Sequence, residues 1–235
     1  MTDRNVMQIE IFSDIACPWC YIGKRRFEEA LTRFAHRDAV SVVWRSYELS
    51  PDMPAEVKMS SVEYLVSKGI PEERVRAMIA QCGEAAASVG IEMRSEGVKR
   101  FNTRKGHELL HFARAAGRQD AMAERLFRAN FTEGQWLSRI DVLVALAGEA
   151  GLDVDDARAA LEQGRYTADV IADEQRAQAI GVSGVPFFVL GDKYAISGGQ
   201  SPEYFLHALE TLWREGEPER QAQASQACAS DGCAL

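Results

Sequence analysis

The motif Cys17-Pro18-Trp19-Cys20 stands between a segment patterned as a strand and one patterned as a helix, and few folds accept that junction. Val6 to Ser13 is rich in β-branched and aromatic residues and alternates in part through Ile9 and Ile11. The stretch after the motif opens on Pro18, which suits a first helical turn because its missing N–H would have no partner there. Cys17 then falls at or beside the N-cap. A thiolate at that point faces unpaired backbone N–H groups and the positive end of the helix dipole, both of which favour the ionised sulfur. Cys20 shares a stripe with Gly23, Phe27, Ala30, Leu31 and Phe34, a 3.6-residue period that should face a core. The expectation is one exposed, acidic sulfur and one shielded sulfur, close enough to bridge. Such a pair exchanges disulfides.

Two other readings of the pair stand beside this one. A C-x-x-C can be half of a zinc site, or two cysteines can fill a core. Zinc usually takes four ligands, and His107 and His111, four apart, are a thin basis for completing the set. The strand–CxxC–helix context favours redox chemistry.

The rest of the chain can be read for what it must pack. Val6–Ser13, Pro18–His36 and Val40–Leu49 form a strand–helix–strand start with a parallel pair, ended by Pro51 and Pro54. From Met59 to Gly181 the pattern is helical. Gly69, Gly90, Gly117, Gly134, Gly151, Gly164 and Gly181 each follow an amphipathic segment, as C-terminal glycines do. Pro71 suits a first turn, and Ser138 with Asp141 reads as a capping box before Val142. Val185–Leu190 is an apolar strand, Gly191-Asp192 a tight turn, and Tyr194–Ser197 its hairpin partner. Ser201-Pro202 starts a last helix, and beyond Glu215 the chain turns polar and is expected to be disordered. A β-α-β start and a β-β-α end are thus separated by far more helix than a crossover needs, which predicts an inserted helical subdomain packed over the sheet near Cys17.

With 235 residues, 46% of them hydrophobic, the chain can bury one large core or two small ones. A net charge of −8 and the lack of a basic tract argue against nucleic acid as a partner. The N-terminus lacks the apolar core of a secretory signal, and no apolar run is long enough to span a bilayer. The expected location is the cytoplasm, where disulfides are usually transient and catalytic.

These residues carry a resemblance. Phe12-Ser13-Asp14 leading into Cys17-Pro18-Trp19-Cys20-Tyr21-Ile22-Gly23, then Gly181-Val182-Ser183-Gly184-Val185-Pro186-Phe187-Phe188-Val189, then Ile196-Ser197-Gly198-Gly199-Gln200, together resemble the DsbA-like thioredoxin-fold oxidoreductases. Asn102-Thr103-Arg104 with His107 also looks like the cytoplasmic FrnE-like subgroup. The resemblance implies an α/β, thioredoxin-like domain made of residues 1–50 and 182–214. A helical subdomain over 51–181 would interrupt it, and a cysteine-containing tail over 215–235 would follow. It implies Cys17 and Cys20 as the catalytic dithiol, and Val185-Pro186 as a cis-proline loop that, with Pro18 and Trp19, meets the substrate. It requires no metal or organic cofactor and admits glutathione as a co-substrate. The expected partners are protein or small-molecule thiols and disulfides, with no nucleic acid and no membrane.

Departures from the family bear on the activity. Periplasmic members carry a signal and a histidine inside the dithiol; here that position is Trp19, so their extreme oxidising character does not carry over. Potentials for this chemistry run from roughly −270 to −120 mV, a span of about 7 kcal/mol, within which oxidase, reductase and isomerase all fit. Glutathione-dependent relatives, the kappa-class transferases and 2-hydroxychromene-2-carboxylate isomerases, place serine at the position of Cys17. An isomerase or transferase of that type is one alternative function. A zinc-binding, chaperone-like module is another. In the tail, Cys228 and Cys233 read as an auxiliary dithiol, tethered by a segment roughly 44 Å long when extended, long enough to return to a body with a radius of gyration of ~17 Å. Cys82, on a helical face with Val75, Met78 and Ile79, reads as a core thiol, and Asp14 as a candidate proton acceptor beneath the dithiol.

Overall fold

The computed structural model describes residues 6–94 and 98–216. Strand β1 (Met7–Ser13) runs into helix α1 (Pro18–Arg33); a 3₁₀ turn (Arg37–Ala39) leads to β2 (Val40–Ser46). Seven helices follow: α2 (Ser61–Ser67), α3 (Glu72–Ala87), α4 (Arg104–Ala115), α5 (Gln119–Phe131), α6 (Ile140–Glu149), α7 (Val154–Gln163) and α8 (Thr167–Ala179). The hairpin β3 (Phe187–Leu190) and β4 (Tyr194–Ser197) and helix α9 (Pro202–Glu215) close the described chain.

The four strands lie in the order β2-β1-β3-β4. β2 is parallel to β1, with Ile11 opposite Trp44; β3 is antiparallel to β1, with Ile11 opposite Phe188. Alternation divides the sheet into two faces. Ile9, Ile11, Trp44, Phe188 and Leu190 look toward α1, α5 and α9, where Phe188 meets Phe205 at 4.6 Å and Phe27 at 5.6 Å between ring centroids. Phe12 and Val189 point the other way, beside Ala177 of α8. Glu10 shares that second face and is buried with Arg45 and Arg176 as partners. Burial pushes the Glu10 carboxyl up, but hydrogen bonds from Arg176 and Arg45 outweigh it and hold the group below its ordinary range.

One apolar cluster runs from Ile9 and Phe188 through Tyr21 and Phe127 to Leu143 and Leu161, so the helices between β2 and β3 share a core with the sheet. Helix ends follow local chemistry. Ser60 and Glu63 form a reciprocal capping box, Asp153 and Ser201 cap α7 and α9 with their side chains, and Pro202 sits in the first turn. The seven punctuating glycines all hold positive φ. At the hairpin, Gly191 and Asp192 both have positive φ, the conformation a two-residue turn between twisted strands requires.

The structure corrects some local expectations. α1 stops at Arg33, and β2 stops at Ser46, opposite the end of β1 at Ser13; beyond it the Leu49 amide bonds the Asp14 side chain. The box expected from Ser138 and Asp141 does not form: α6 is capped at Arg139 without a side-chain bond, and the buried Ser138 hydroxyl has no hydrogen-bond partner among the described residues. Among the described residues no helix is long and apolar enough to cross a membrane.

Candidate active site

Cys17 is the N-cap residue of α1, with extended backbone (φ −92°, ψ 113°) and Pro18 in the first turn. Its amide donates to the Asp14 carbonyl at 2.9 Å, and its carbonyl accepts from the Cys20 amide at 3.1 Å. The two cysteines therefore sit on one helical turn, both as free thiols. The Val185–Pro186 peptide is cis. Cys17 Sγ donates to the Val185 carbonyl at 3.5 Å, across 168 residues of sequence.

What holds the 185–186 loop against α1 is a contact between backbones. A Cβ on Gly23 would lie 3.1 Å from Pro186 Cγ and 3.3 Å from Gly199 Cα. A Cβ on Gly199 would lie 3.1 Å from Gly23 Cα and 3.3 Å from the Trp19 carbonyl. A side chain at either place would force the facing atoms to shift by a few tenths of an ångström, which glycine avoids. Arg26 clasps the contact by donating to the Gly199 carbonyl at 2.6 Å, and the Gly198 amide donates to the Pro186 carbonyl at 2.8 Å. Gly23, Gly198 and Gly199 stand in separate sequence motifs, and no local pattern joins them into one contact. A glycine inside an otherwise amphipathic helix was the available signal.

Below the motif, Asp14 is buried and its carboxylate accepts from the amides of Ala16 (3.0 Å) and Leu49 (2.8 Å). Both oxygens thus brace the turn that precedes Cys17. His107 Nε2 is 3.6 Å from Asp14 Oδ1, and neither ring nitrogen of this fully buried histidine has a hydrogen-bond partner among the described residues. Gly106 lets α4 rest on the same turn, since a Cβ there would strike Ile15 Cδ1 at 2.2 Å, and Asn130 donates to the Ile15 carbonyl at 3.0 Å. Lys24, buried on the next turn of α1, pairs with Glu28 and with Glu124 of α5 (3.2 Å).

The two sulfurs differ in surroundings, though not as the sequence predicted. Cys17 is not exposed on the surface; only 5% of its area is accessible. The chain between β2 and α4 rises over the start of α1 and encloses a cavity of about 400 Å³, and Cys17, Pro18 and Trp19 form part of its wall. Cys20 lies deeper, 1% exposed. Burial pushes its thiol well above the ordinary value, and the Cys17 sulfur adds to the rise, against smaller opposing contributions from Ser13 and the Asp14 backbone. Cys82 of α3 lines the same cavity; burial, then the charge of Cys17, raises its thiol to about 11. Cys82 is therefore a protonated wall residue at neutral pH. Cys228 and Cys233 lie outside the described residues. Among the described residues no group of three or more His, Cys, Asp or Glu is arranged to hold a metal; His111 instead bonds Ser46 Oγ at 3.2 Å and meets Asp173 at 3.1 Å.

A dithiol at a helix start, with one sulfur facing a cavity and a loop carbonyl and the other buried behind it, can accept and pass on a disulfide. Comparisons with known proteins point the same way. A family model described as a DSBA-like thioredoxin domain matches residues 8–210. The crystal structure of a probable DsbA oxidoreductase from Streptomyces coelicolor is 42% identical with a TM-score of 0.85, over 89% of this chain and 91% of that one. The uncharacterized protein YwbO of Bacillus subtilis is 30% identical over 86% of this chain and 96% of its own. DsbM, a cytosolic disulfide reductase of Pseudomonas aeruginosa, shares the fold at 20% identity and a TM-score of 0.60, over 88% of this chain and 98% of that one.

Proposed function

The chain belongs to the DSBA-like thioredoxin domain family, and from that premise we propose that it exchanges thiols and disulfides through Cys17 and Cys20. In the reducing direction the Cys17 thiolate attacks one sulfur of a substrate disulfide. The S–S bond breaks, one substrate thiolate leaves, and a Cys17–substrate mixed disulfide forms. Cys20, giving up its proton, then attacks Cys17 Sγ and expels the second substrate thiolate. Two electrons have passed to the substrate, and the chain holds a Cys17–Cys20 disulfide. Oxidation of a substrate dithiol is the same sequence reversed.

The observation that carries this reading is the asymmetry of the pair. Cys17 caps the helix, lines the cavity and touches the Val185 carbonyl, while Cys20 is sealed behind it with a raised thiol. A thiol held protonated by burial attacks slowly until a mixed disulfide removes the neighbouring negative charge, which suits a resolving role. Pro18, Trp19, Val185 and Pro186 frame the attacking sulfur and are the substrate-facing residues of this reading. It needs no metal or organic cofactor. Glutathione is a reasonable co-substrate, since the Pseudomonas reductase has been solved with GSH, and that protein's cytosolic designation supports a cytoplasmic location.

The test is insulin reduction by dithiothreitol and refolding of scrambled ribonuclease. Cys17→Ser should abolish both, and Cys20→Ser should accumulate a mixed disulfide at Cys17. Full turnover by Cys17→Ser would overturn the assignment. The tail pair Cys228 and Cys233 is proposed to exchange with the first dithiol; unchanged turnover after deletion of residues 226–235 would rule that out.

A further inference from the structure

Beyond the dithiol, the cavity at Cys17 has a character of its own. Most of its surface is apolar. Met53, Met78 and Met93 line it beside Ile79, Leu65 and Phe101, and unbranched methionines make adaptable walls. At about 400 Å³ it falls within the range of small-molecule sites. Three basic residues, Arg94, Lys99 and Arg100, line it, in a chain whose net charge is −8. Among the described residues none of the three has a carboxylate within salt-bridge distance, and Lys99 acts on Glu56 only at longer range. Lys99 lies over the Trp136 ring at 5.1 Å, Arg100 stacks on Tyr64 at 4.3 Å, and Arg100 Nε is buried without a hydrogen-bond partner. Among the described residues Asp14 is the one carboxylate in the lining, and both its oxygens are taken by backbone amides. A half-buried guanidinium without a carboxylate is costly to keep, and burial does pull Arg100 below its ordinary value. No described carboxylate supplies Arg100 with a counter-charge, and a ligand can bring one.

We propose that this cavity is a substrate site for small, apolar disulfides that carry a carboxylate, with the apolar part between α2 and α3, the carboxylate on the Arg100 side and the disulfide presented to Cys17. The inference rests on the thiol–disulfide reading and adds the substrate class to it. The reaction is the exchange described above: RS–SR is reduced to two RSH, the chain is oxidised to Cys17–Cys20, and an external dithiol restores it.

The structure supplies two variants for testing this. Gly83 of α3 lines the cavity, and a Cβ there would meet nothing within 4 Å. Gly83→Leu should therefore fill space without strain while removing a helix glycine. Arg100→Met keeps the bulk of the side chain and removes the charge. Turnover of bis(carboxyphenyl), bis(hydroxyphenyl) and bis(hydroxyethyl) disulfide by the full chain, regenerated with dithiothreitol, is measured as kcat/KM relative to the uncatalysed rate of each. The wild type should favour the carboxyphenyl over the hydroxyphenyl compound, and Arg100→Met should cut that ratio about tenfold, the worth of a charge-assisted contact. Gly83→Leu should cut the ratio of either aromatic compound to bis(hydroxyethyl) disulfide about tenfold. Loss of folding would lower all rates together and leave the ratios in place, so circular dichroism melts accompany the kinetics and Arg100→Lys serves as a charge-retaining rescue. Ratios that stay within twofold in well-folded variants would overturn the proposal. So would a loss of scrambled-ribonuclease turnover in Gly83→Leu as large as the loss with aromatic disulfides, which would make the cavity a pocket for peptide side chains. Failure of the wild type on all three disulfides and on insulin would instead overturn the thiol–disulfide reading itself.

Discussion

On the sheet side of Cys17, Gly23 and Gly199 bring two backbones together so closely that a methyl group on either would press on main-chain atoms or on Pro186. On the helical side, a methyl group at Gly83 would touch nothing, and the neighbouring lining is methionine, leucine and isoleucine. The first wall is rigid because backbone cannot rotate out of the way. The second is adaptable because long side chains can. Exchange chemistry needs the sulfur, the helix start and the Val185 carbonyl in fixed relation, whereas recognition of varied substrates tolerates a wall that repacks. The division of labour around the dithiol thus follows from which atoms form each wall.

The contrast can be broken most forcefully at the base of the rigid wall. Phe188→Ala removes a fully buried ring packed on Phe27 and Phe205. It should cost about 3–5 kcal/mol, read as a lower midpoint in urea with an unchanged slope. Gly199→Ala comes next. The added methyl must displace α1 backbone, which should cost about 1–3 kcal/mol and lower insulin turnover, since Trp19 and the 185–186 loop move with it. A neutral result in both stability and rate would show that the sheet-side wall yields as easily as the other. Gly83→Ala is the same chemical change on the adaptable wall, with the opposite sign expected: a gain of about 0.5–1 kcal/mol from helix propensity alone.

The smallest effect concerns a buried carboxylate next to Arg104. Glu48 is raised to about 7 by burial and by Glu174, against the opposing pull of Arg104 and His107. The folded chain therefore keeps a proton that the unfolded chain releases near its ordinary value of 4.5. Stability contributed by this group should fall as pH rises from 4.5 toward 7 and level off above. Glu48→Gln should remove that decline, raising the melting temperature at pH 8 relative to wild type while changing it little near pH 4.5. An unaltered pH profile would show that Glu48 is ionised in the fold at neutral pH. Glu10 and Asp173 act in the opposite sense. Burial raises each, but Arg176 and Arg45 at Glu10, and His111, the Ser46 amide and Arg45 at Asp173, hold them low. Their contribution is present at neutral pH and is lost as pH falls through their depressed values.

Much of the architecture was legible because the relevant interactions are local. Pro18 after Cys17 marked the start of α1, Ser201-Pro202 marked α9, and Gly191-Asp192 marked the hairpin. These signals act within a turn or two of backbone and do not depend on distant partners. Other features are set by distant partners. Glu10 interrupts the apolar pattern of β1 yet is buried, because Arg45 and Arg176 arrive from β2 and α8. Ser138 has the pattern of a cap but is buried without a hydrogen-bond partner among the described residues. Cys17 was expected to be exposed, and the lining of its cavity is drawn from α2, α3 and the segment before α4.

The sequence alone determined that two thiols occupy one helical turn at a helix start, because C-x-x-C spacing, Pro18 and the flanking periodicities are properties of neighbouring residues. It also marked an apolar strand at Val185–Leu190, of which the structure pairs Phe187–Leu190 in the sheet. Only the tertiary structure decided what each sulfur faces. The contact of Cys17 with Val185 spans 168 positions, the Gly23–Gly199 approach joins the middle of α1 to the turn before α9, and the basic, methionine-lined cavity is assembled from segments that no local pattern brings together. Burial, and with it the raised thiol of Cys20, is set by everything packed around a residue rather than by its neighbours in the chain.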